Sequence, residues 1–200
     1  MDTTVNQILL RGYLDAAPTF SHENHGRRFY LFRMQVPRLS GAVDLLPIIV
    51  PLELLERTSL DGEILEVTGQ IRSFNRRTDS GRKLVISVFA SSLGLTYGEP
   101  ENHAILSGTI CKTPVFRRTP LGREICDVML AVNRPYHRSD YIPVIAWGRT
   151  AEEVSALTVG DRLSLEGRLQ SREYQKVLPT GVELRTAYEV SAVTVDFPEA

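Results

Sequence analysis

The chain has 200 residues, 42% hydrophobic and 24% charged, which suits one large folded domain or two of about 100 residues. A formal net charge of −1 gives no global basic field, and no run approaches the roughly 20 apolar residues of a membrane helix. Two cysteines, Cys111 and Cys126, exclude a disulfide framework and fit a reducing cytoplasm. The N-terminus, MDTTVNQILL, has neither a basic n-region nor a cleavage site, so no export signal is expected.

In chain order, residues 5–14 alternate apolar and polar as a half-buried strand does. A loop carrying Pro18 leads through Gly26 into a second strand, 29–36. A short third strand, 44–50, precedes a helical turn or two at 52–58. Asp61-Gly62 turns the chain into a fourth strand, 63–73. A hairpin tip at Gly81 leads to a last strand, 82–95. A short junction, 98–101, then separates residues 1–97 from residues 102–200.

The second half repeats the first. NQILLRG at 6–12 recurs as NHAILSG at 102–108, an offset of 102 − 6 = 96. In that register Pro18 matches Pro114, Gly26 matches Gly122, Arg38 matches Arg134, Asp44 matches Asp140 and Pro47 matches Pro143. Two added residues then move Gly62 onto Gly160 and Gly69 onto Gly167, an offset of 98. The predicted strands of this copy are 102–111, 123–132, 140–147, 161–171 and 184–195, with a helix at 150–157. Five strands with a helix between the third and fourth is the plan of the OB-fold, a small Greek-key barrel. The expected architecture is all-β: two OB barrels in tandem, set close together.

One stretch carries the chemistry, DYIPVIAWGRTAEEV at 140–154. Tyr141 and Trp147 are six residues apart, so on a strand both point to one face. Gly148 ends the strand, and Thr150 with Glu153 has capping-box spacing. Two large rings beside Arg138 and Arg149 form a stacking platform for a flat, anionic polymer. The competing expectation is that both rings fill the core. Of the 23 basic residues 20 are Arg and 3 are Lys, and arginine both grips phosphate bidentately and stacks on bases. A GC-rich genome gives the same bias.

The second copy resembles the bacterial single-stranded DNA-binding protein (SSB) family. The resemblance rests on Asn102 to Gly108, Thr113-Pro114, Gly122, LAVNR at 130–134, DYIPVIAWGRTAE at 140–152, GDRLSLEGRLQSREY at 160–174 and YEVSAVTV at 188–195. It implies a non-enzymatic binder of single-stranded DNA in replication, repair or recombination. Base stacking is then expected at Tyr136, Tyr141, Trp147 and Tyr174, three of them Tyr where the family often has Trp. Phosphate contacts are expected from Arg117, Arg118, Arg134, Arg138, Arg149 and Arg172. The family commonly assembles four barrels, so two per chain imply a homodimer. The chain closes at Asp196-Phe197-Pro198-Glu199-Ala200 with no low-complexity tail, so recruitment of repair enzymes by an acidic tail is not expected.

The first copy departs from that pattern. Ser40, Leu45 and Pro51 stand where the second has Tyr136, Tyr141 and Trp147, and only Phe74 keeps a ring, near the Tyr174 position. It retains Arg27, Arg28, Arg38, Arg72, Arg76, Arg77, Arg82 and Lys83, which suggests weak, charge-driven binding or a role in assembly. A tandem OB scaffold for protein partners, and an RNA-binding module, are the alternative readings. His22, His25, His103 and His137 are scattered without metal-ligand spacing, and no catalytic constellation, metal site or cofactor is expected.

Overall fold

The computed structural model describes residues 5–61, 64–78 and 81–197. The Gly62 turn and the last residues, 198–200, lie outside them. The first half supplies β1 (Asn6–Leu14), β2 (Thr19–Asn24), β3 (Arg27–Pro37), β4 (Val43–Pro51), α1 (Leu52–Leu55), β5 (Ile64–Thr78) and β6 (Gly81–Thr96). The second supplies β7 (Glu101–Ile110), β8 (Val115–Arg118), β9 (Glu124–Arg134), β10 (Arg138–Trp147), α2 (Gly148–Ser155), β11 (Arg162–Leu178) and β12 (Gly181–Asp196).

Each half closes a five-stranded OB barrel. In the first, β1, β3, β4, β6 and β5 pair in that order around the ring, with β4 and β6 parallel. The second repeats this with β7, β9, β10, β12 and β11. The loops carrying Pro18 and Pro114 form short, fully exposed strands, β2 and β8, on the outer edges of β3 and β9. Solvated residues on both faces give no alternation to read.

Alternation sets the core. Phe32, Met34, Leu46, Ile48 and Val88 fill the first barrel; Leu130, Val132, Ile142, Val144 and Val190 fill the second. Gly69 and Gly167 sit at matching register shifts in β5 and β11. A Cβ there would lie 2.1 Å from the Phe89 carbonyl oxygen and 2.2 Å from that of Ser191, so only glycine fits.

The capping box is not formed. Helix α2 begins at Gly148, directly after Trp147, and has no side-chain cap. Gly148 adopts φ +55°, which turns the chain into the helix two residues before Thr150. Glu153 instead accepts from Arg149 Nε at 3.0 Å.

The barrels share one sheet, because β1 pairs antiparallel with β7 from Asn6↔Leu106 to Arg11↔Glu101. Two buried carboxylates lock the rest of the interface. Asp140 accepts from the Ser73 N–H at 2.8 Å and from Arg72 Nη1 at 3.0 Å, both across the interface, and from Arg134 Nη1 at 3.4 Å. Asp44 accepts from the Ser171 N–H at 2.8 Å across the interface, and from Arg38 Nε at 2.8 Å. Ser73 Oγ accepts from the Tyr141 N–H and Ser171 Oγ from the Leu45 N–H. The repeat positions 44/140 and 73/171 therefore exchange bonds about an approximate two-fold axis within one chain.

Candidate nucleic-acid interface

The site is built on β10. Its even residues Ile142, Val144 and Ala146 are buried in the second barrel, so Tyr141, Pro143, Ile145 and Trp147 occupy the outer pleat face. Tyr141 is 43% and Trp147 37% exposed, so neither ring is core filling. Trp147 Nε1 donates to Ser191 Oγ on the neighbouring β12 at 3.2 Å, which fixes how the indole lies on the sheet. At about 3.3 Å per residue the two rings stand roughly 20 Å apart along the strand. Tyr136 continues the line at the turn into β10. It is 92% exposed with φ +64°, and His137 follows at φ +55°. That backbone lifts the phenol off the barrel.

Tyr174 is placed elsewhere. It extends from the long β11–β12 arm and lines a groove between the barrels together with Arg33, Phe89 and Tyr188. Tyr136, Tyr141 and Trp147 do not line that groove. The Arg172 guanidinium lies 5.8 Å from the Tyr174 ring centroid, a cation–π pair.

The six arginines differ in what holds them. Arg117 pairs with Asp127 at 2.7 Å, Arg118 with Glu124 at 2.6 Å, Arg149 with Glu153 at 3.0 Å and Arg172 with Glu189 at 3.3 Å. The first three are exposed pairs that contribute about 1 kcal/mol or less, so a phosphate competes readily for those cations, whereas the Arg172 partner Glu189 is buried. Arg134 reaches buried Asp140 only at 3.4 Å and, with its side chain 28% exposed, also lines the groove between the barrels. Arg138 forms no ion pair among the described residues and stands across from Arg134 beside the Tyr136 turn.

Both thiols are free, and burial pushes each of them up from its ordinary pKa. Among the described residues no cluster of three or more His, Cys, Asp or Glu is placed to hold a metal.

Reading the first copy at positions equivalent to β10 missed its rings, which moved one strand sideways. Phe29 pairs with Pro51 across β3 and β4, and Phe89 on β6 pairs with Ile49. Their centroids are 5.6 Å apart, and His22 stacks on Phe29 at 4.8 Å and 14°. Arg27 and Arg28 lie 5.8 Å and 5.4 Å from the Phe29 and Phe20 rings. The cue in the sequence was parity: Phe29 and Phe89 are odd-numbered on strands whose core residues are even, although Phe29 is itself only 5% exposed beneath the His22 ring.

Comparison with known proteins agrees with the geometry. Residues 101–198 match the single-strand binding protein family. Single-stranded DNA-binding protein 3 of Listeria innocua is 32% identical over 108 residues, 50% of this chain and 64% of that protein. Single-stranded DNA-binding protein A of Bacillus subtilis is 34% identical over 105 residues, 49% of this chain and 59% of that protein. The chain thus spans less than two thirds of these relatives. The crystal structure of wild-type single-stranded DNA binding protein from Thermus aquaticus superposes with a TM-score of 0.78 at 25% identity, covering 98% of this chain and 94% of that one. Residues 101–198 are thus similar to the single-strand binding protein family, and the whole chain, two OB barrels in tandem, is similar in fold to the Thermus aquaticus protein.

Proposed function

We propose that the protein binds and protects single-stranded DNA without reading its sequence, in replication, repair or recombination. The observation that carries this reading is the row of outward rings Tyr136, Tyr141 and Trp147 on one strand and its turn, within the domain that matches the family. Every base has a π-face, so stacking tolerates any sequence and contributes about 1–3 kcal/mol per base. Arg138, Arg149, Arg117 and Arg118 stand around this row and meet the phosphates. Tyr174 and Arg172 act from the arm. We assign no catalytic step to any residue.

The assembly in this reading is a homodimer presenting four barrels, divided within each chain at residues 98–101, and it works in the cytoplasm. Among the described residues no helix is long and apolar enough to cross a membrane. Truncation to residues 102–200 is a poor test of the first barrel. It would strip β7 of its ladder with β1 and Asp140 of Arg72 and Ser73.

Trp147 is the single tryptophan and so reports on its own site. Oligo(dT) is expected to quench its fluorescence, and affinity should fall as salt rises because bound arginines release counterions. Trp147→Ala should weaken binding about 5- to 150-fold, the equivalent of one lost stack. Unquenched Trp147 at saturating oligonucleotide, or an alanine variant with parental affinity, refutes the assignment.

A further inference from the structure

Past the first barrel, β5 and β6 continue as a two-stranded arm. No strand but its partner pairs with β5 after Gly69 or with β6 before Val88. On this arm Arg76 faces Lys83 and Arg77 faces Arg82, on successive rungs. Like charges directly opposite on a ladder repel. Arg76, Arg77 and Arg82 are exposed and Lys83 is half-buried. None of the four forms an ion pair within 4 Å or a side-chain hydrogen bond among the described residues. Asp79 lies outside those residues, and even with it residues 75–85 carry a net charge of 4 − 1 = +3, in a chain whose net charge is −1.

The fold does not require these facing cations. Gly69 and Gly167 relate β5 to β11 by 167 − 69 = 98, and Val88 and Val190 relate β6 to β12 by 190 − 88 = 102. The matching rungs of the second arm are Tyr174 facing Arg185 and Gln175 facing Leu184. Their one cation, Arg185, is neutralised by Glu183 at 2.7 Å. Arg76, Arg82 and Lys83 line the groove between the barrels, and Arg77 does not. Glu183 is the groove's only lining carboxylate among the described residues. Arg185 holds its pKa below the usual carboxylate range, and Lys83 and Lys176 add to that. One carboxylate, already paired, does not balance the first arm.

That arm has charge without rings: residues 75–85 contain no Phe, Tyr, Trp or His. A nucleic-acid strand carries one charge per nucleotide, spaced by a sugar, and brings a base with each. Here four charges occupy two rungs, whose facing Cβ atoms lie about 5 Å apart, and no flat surface accompanies them. Phosphates joined through a single bridging oxygen match that charge density and bring no base.

We infer that the β5–β6 arm is a binding site for inorganic polyphosphate, held by Arg76, Arg77, Arg82 and Lys83. The guanidiniums grip successive phosphates bidentately and Lys83 adds a point charge. The bound anion relieves the repulsion across both rungs. The triphosphate of a nucleotide shares this chemistry, so it is one arm of the test. The site stands apart from the proposed reading of the protein as a DNA binder and from the Trp147 row.

Isothermal titration calorimetry of the full chain, at one salt concentration, compares polyphosphate with tripolyphosphate, ATP and an abasic phosphodiester oligomer of the same total charge as the polyphosphate. Polyphosphate is expected to bind at least about tenfold tighter than the abasic oligomer, as its denser charge requires. Tripolyphosphate and ATP should bind alike and more weakly, since the arm gives adenine nothing to stack on. Arg82→Glu and Lys83→Glu, made singly, should each weaken polyphosphate binding about 10- to 100-fold, the equivalent of one charge-assisted contact. Without ligand both should melt no lower than the parent, because each turns a repelling rung into an ion pair. Arg57→Glu makes the same change of net charge at an exposed residue after α1 and should keep parental affinity. Absence of polyphosphate binding, or parental affinity in both arm variants, overturns the site. So does an equal loss in Arg57→Glu, which would show a response to net charge alone. An abasic oligomer that binds as tightly as polyphosphate, or ATP that binds tighter than tripolyphosphate, overturns the choice of joined phosphates without a base. A lower Tm in either unliganded arm variant refutes the repulsion between the facing cations.

Discussion

Replacing Asp140 by alanine tests whether the two barrels are locked by the buried carboxylate pair. Asp140 is fully buried, and alanine leaves the Ser73 N–H and two guanidiniums without their acceptor. The bonds at 2.8 Å and 3.0 Å are charge-assisted and contribute about 1.5–3 kcal/mol each, whereas the contact at 3.4 Å counts for little. Breaking a buried ion pair costs about 3–5 kcal/mol. Arg72 and Arg134 keep side-chain exposures of 23% and 28%, so water takes up part of the released donors. The lower end, about 3 kcal/mol, is therefore expected. For a chain of this size that lowers Tm by roughly 6–12 °C, at about 2–4 °C per kcal/mol. Asp140→Asn keeps an oxygen for the Ser73 N–H and should cost about half as much. Asp44→Ala should cost about as much, because Asp44 holds the Ser171 N–H across the interface and Arg38 of its own barrel. The assay is thermal unfolding by circular dichroism at one fixed protein concentration, since self-association alone moves Tm. A shift below about 2 °C in both alanine variants would refute the argument that these carboxylates hold the barrels together.

Two further outcomes follow from the packing. Gly167→Ala places a methyl 2.2 Å from the Ser191 carbonyl oxygen, so β11 and β12 must separate locally at a cost of about 1–3 kcal/mol; a parental Tm contradicts this, and Gly69→Ala should behave alike. Burial raises both thiol pKa values, and Cys126 is wholly enclosed, so Ellman's reagent at pH 8 should label Cys126 only after denaturation, with Cys111 reacting slowly and faster as pH rises; rapid labelling of both thiols in the native protein would contradict their placement.

The amino-acid sequence by itself determined the repeat, the strand plan of each copy and the common face of Tyr141 and Trp147. Those are local facts: a period of two assigns faces, and matched Gly, Pro and Asp positions assign equivalent turns. The fold decided that this face is the outer one. Tertiary structure alone decided which partner each outward group meets. Asp140 looked like the partner of Arg134 alone until the fold brought Ser73 and Arg72 of the other barrel to it, leaving Arg134 at 3.4 Å and open to the groove. Tyr174 was one of four expected stacking rings, and the fold sets it apart from the other three, on an arm that lines the groove beside the first barrel. Phe29 and Phe89 are 60 residues apart, and only the pairing of β3 and β6 with β4 brings their rings to 5.6 Å. Side-chain direction is set within a strand, but neighbourhood is set by strand order and by the axis relating the barrels, and these depend on contacts between distant residues.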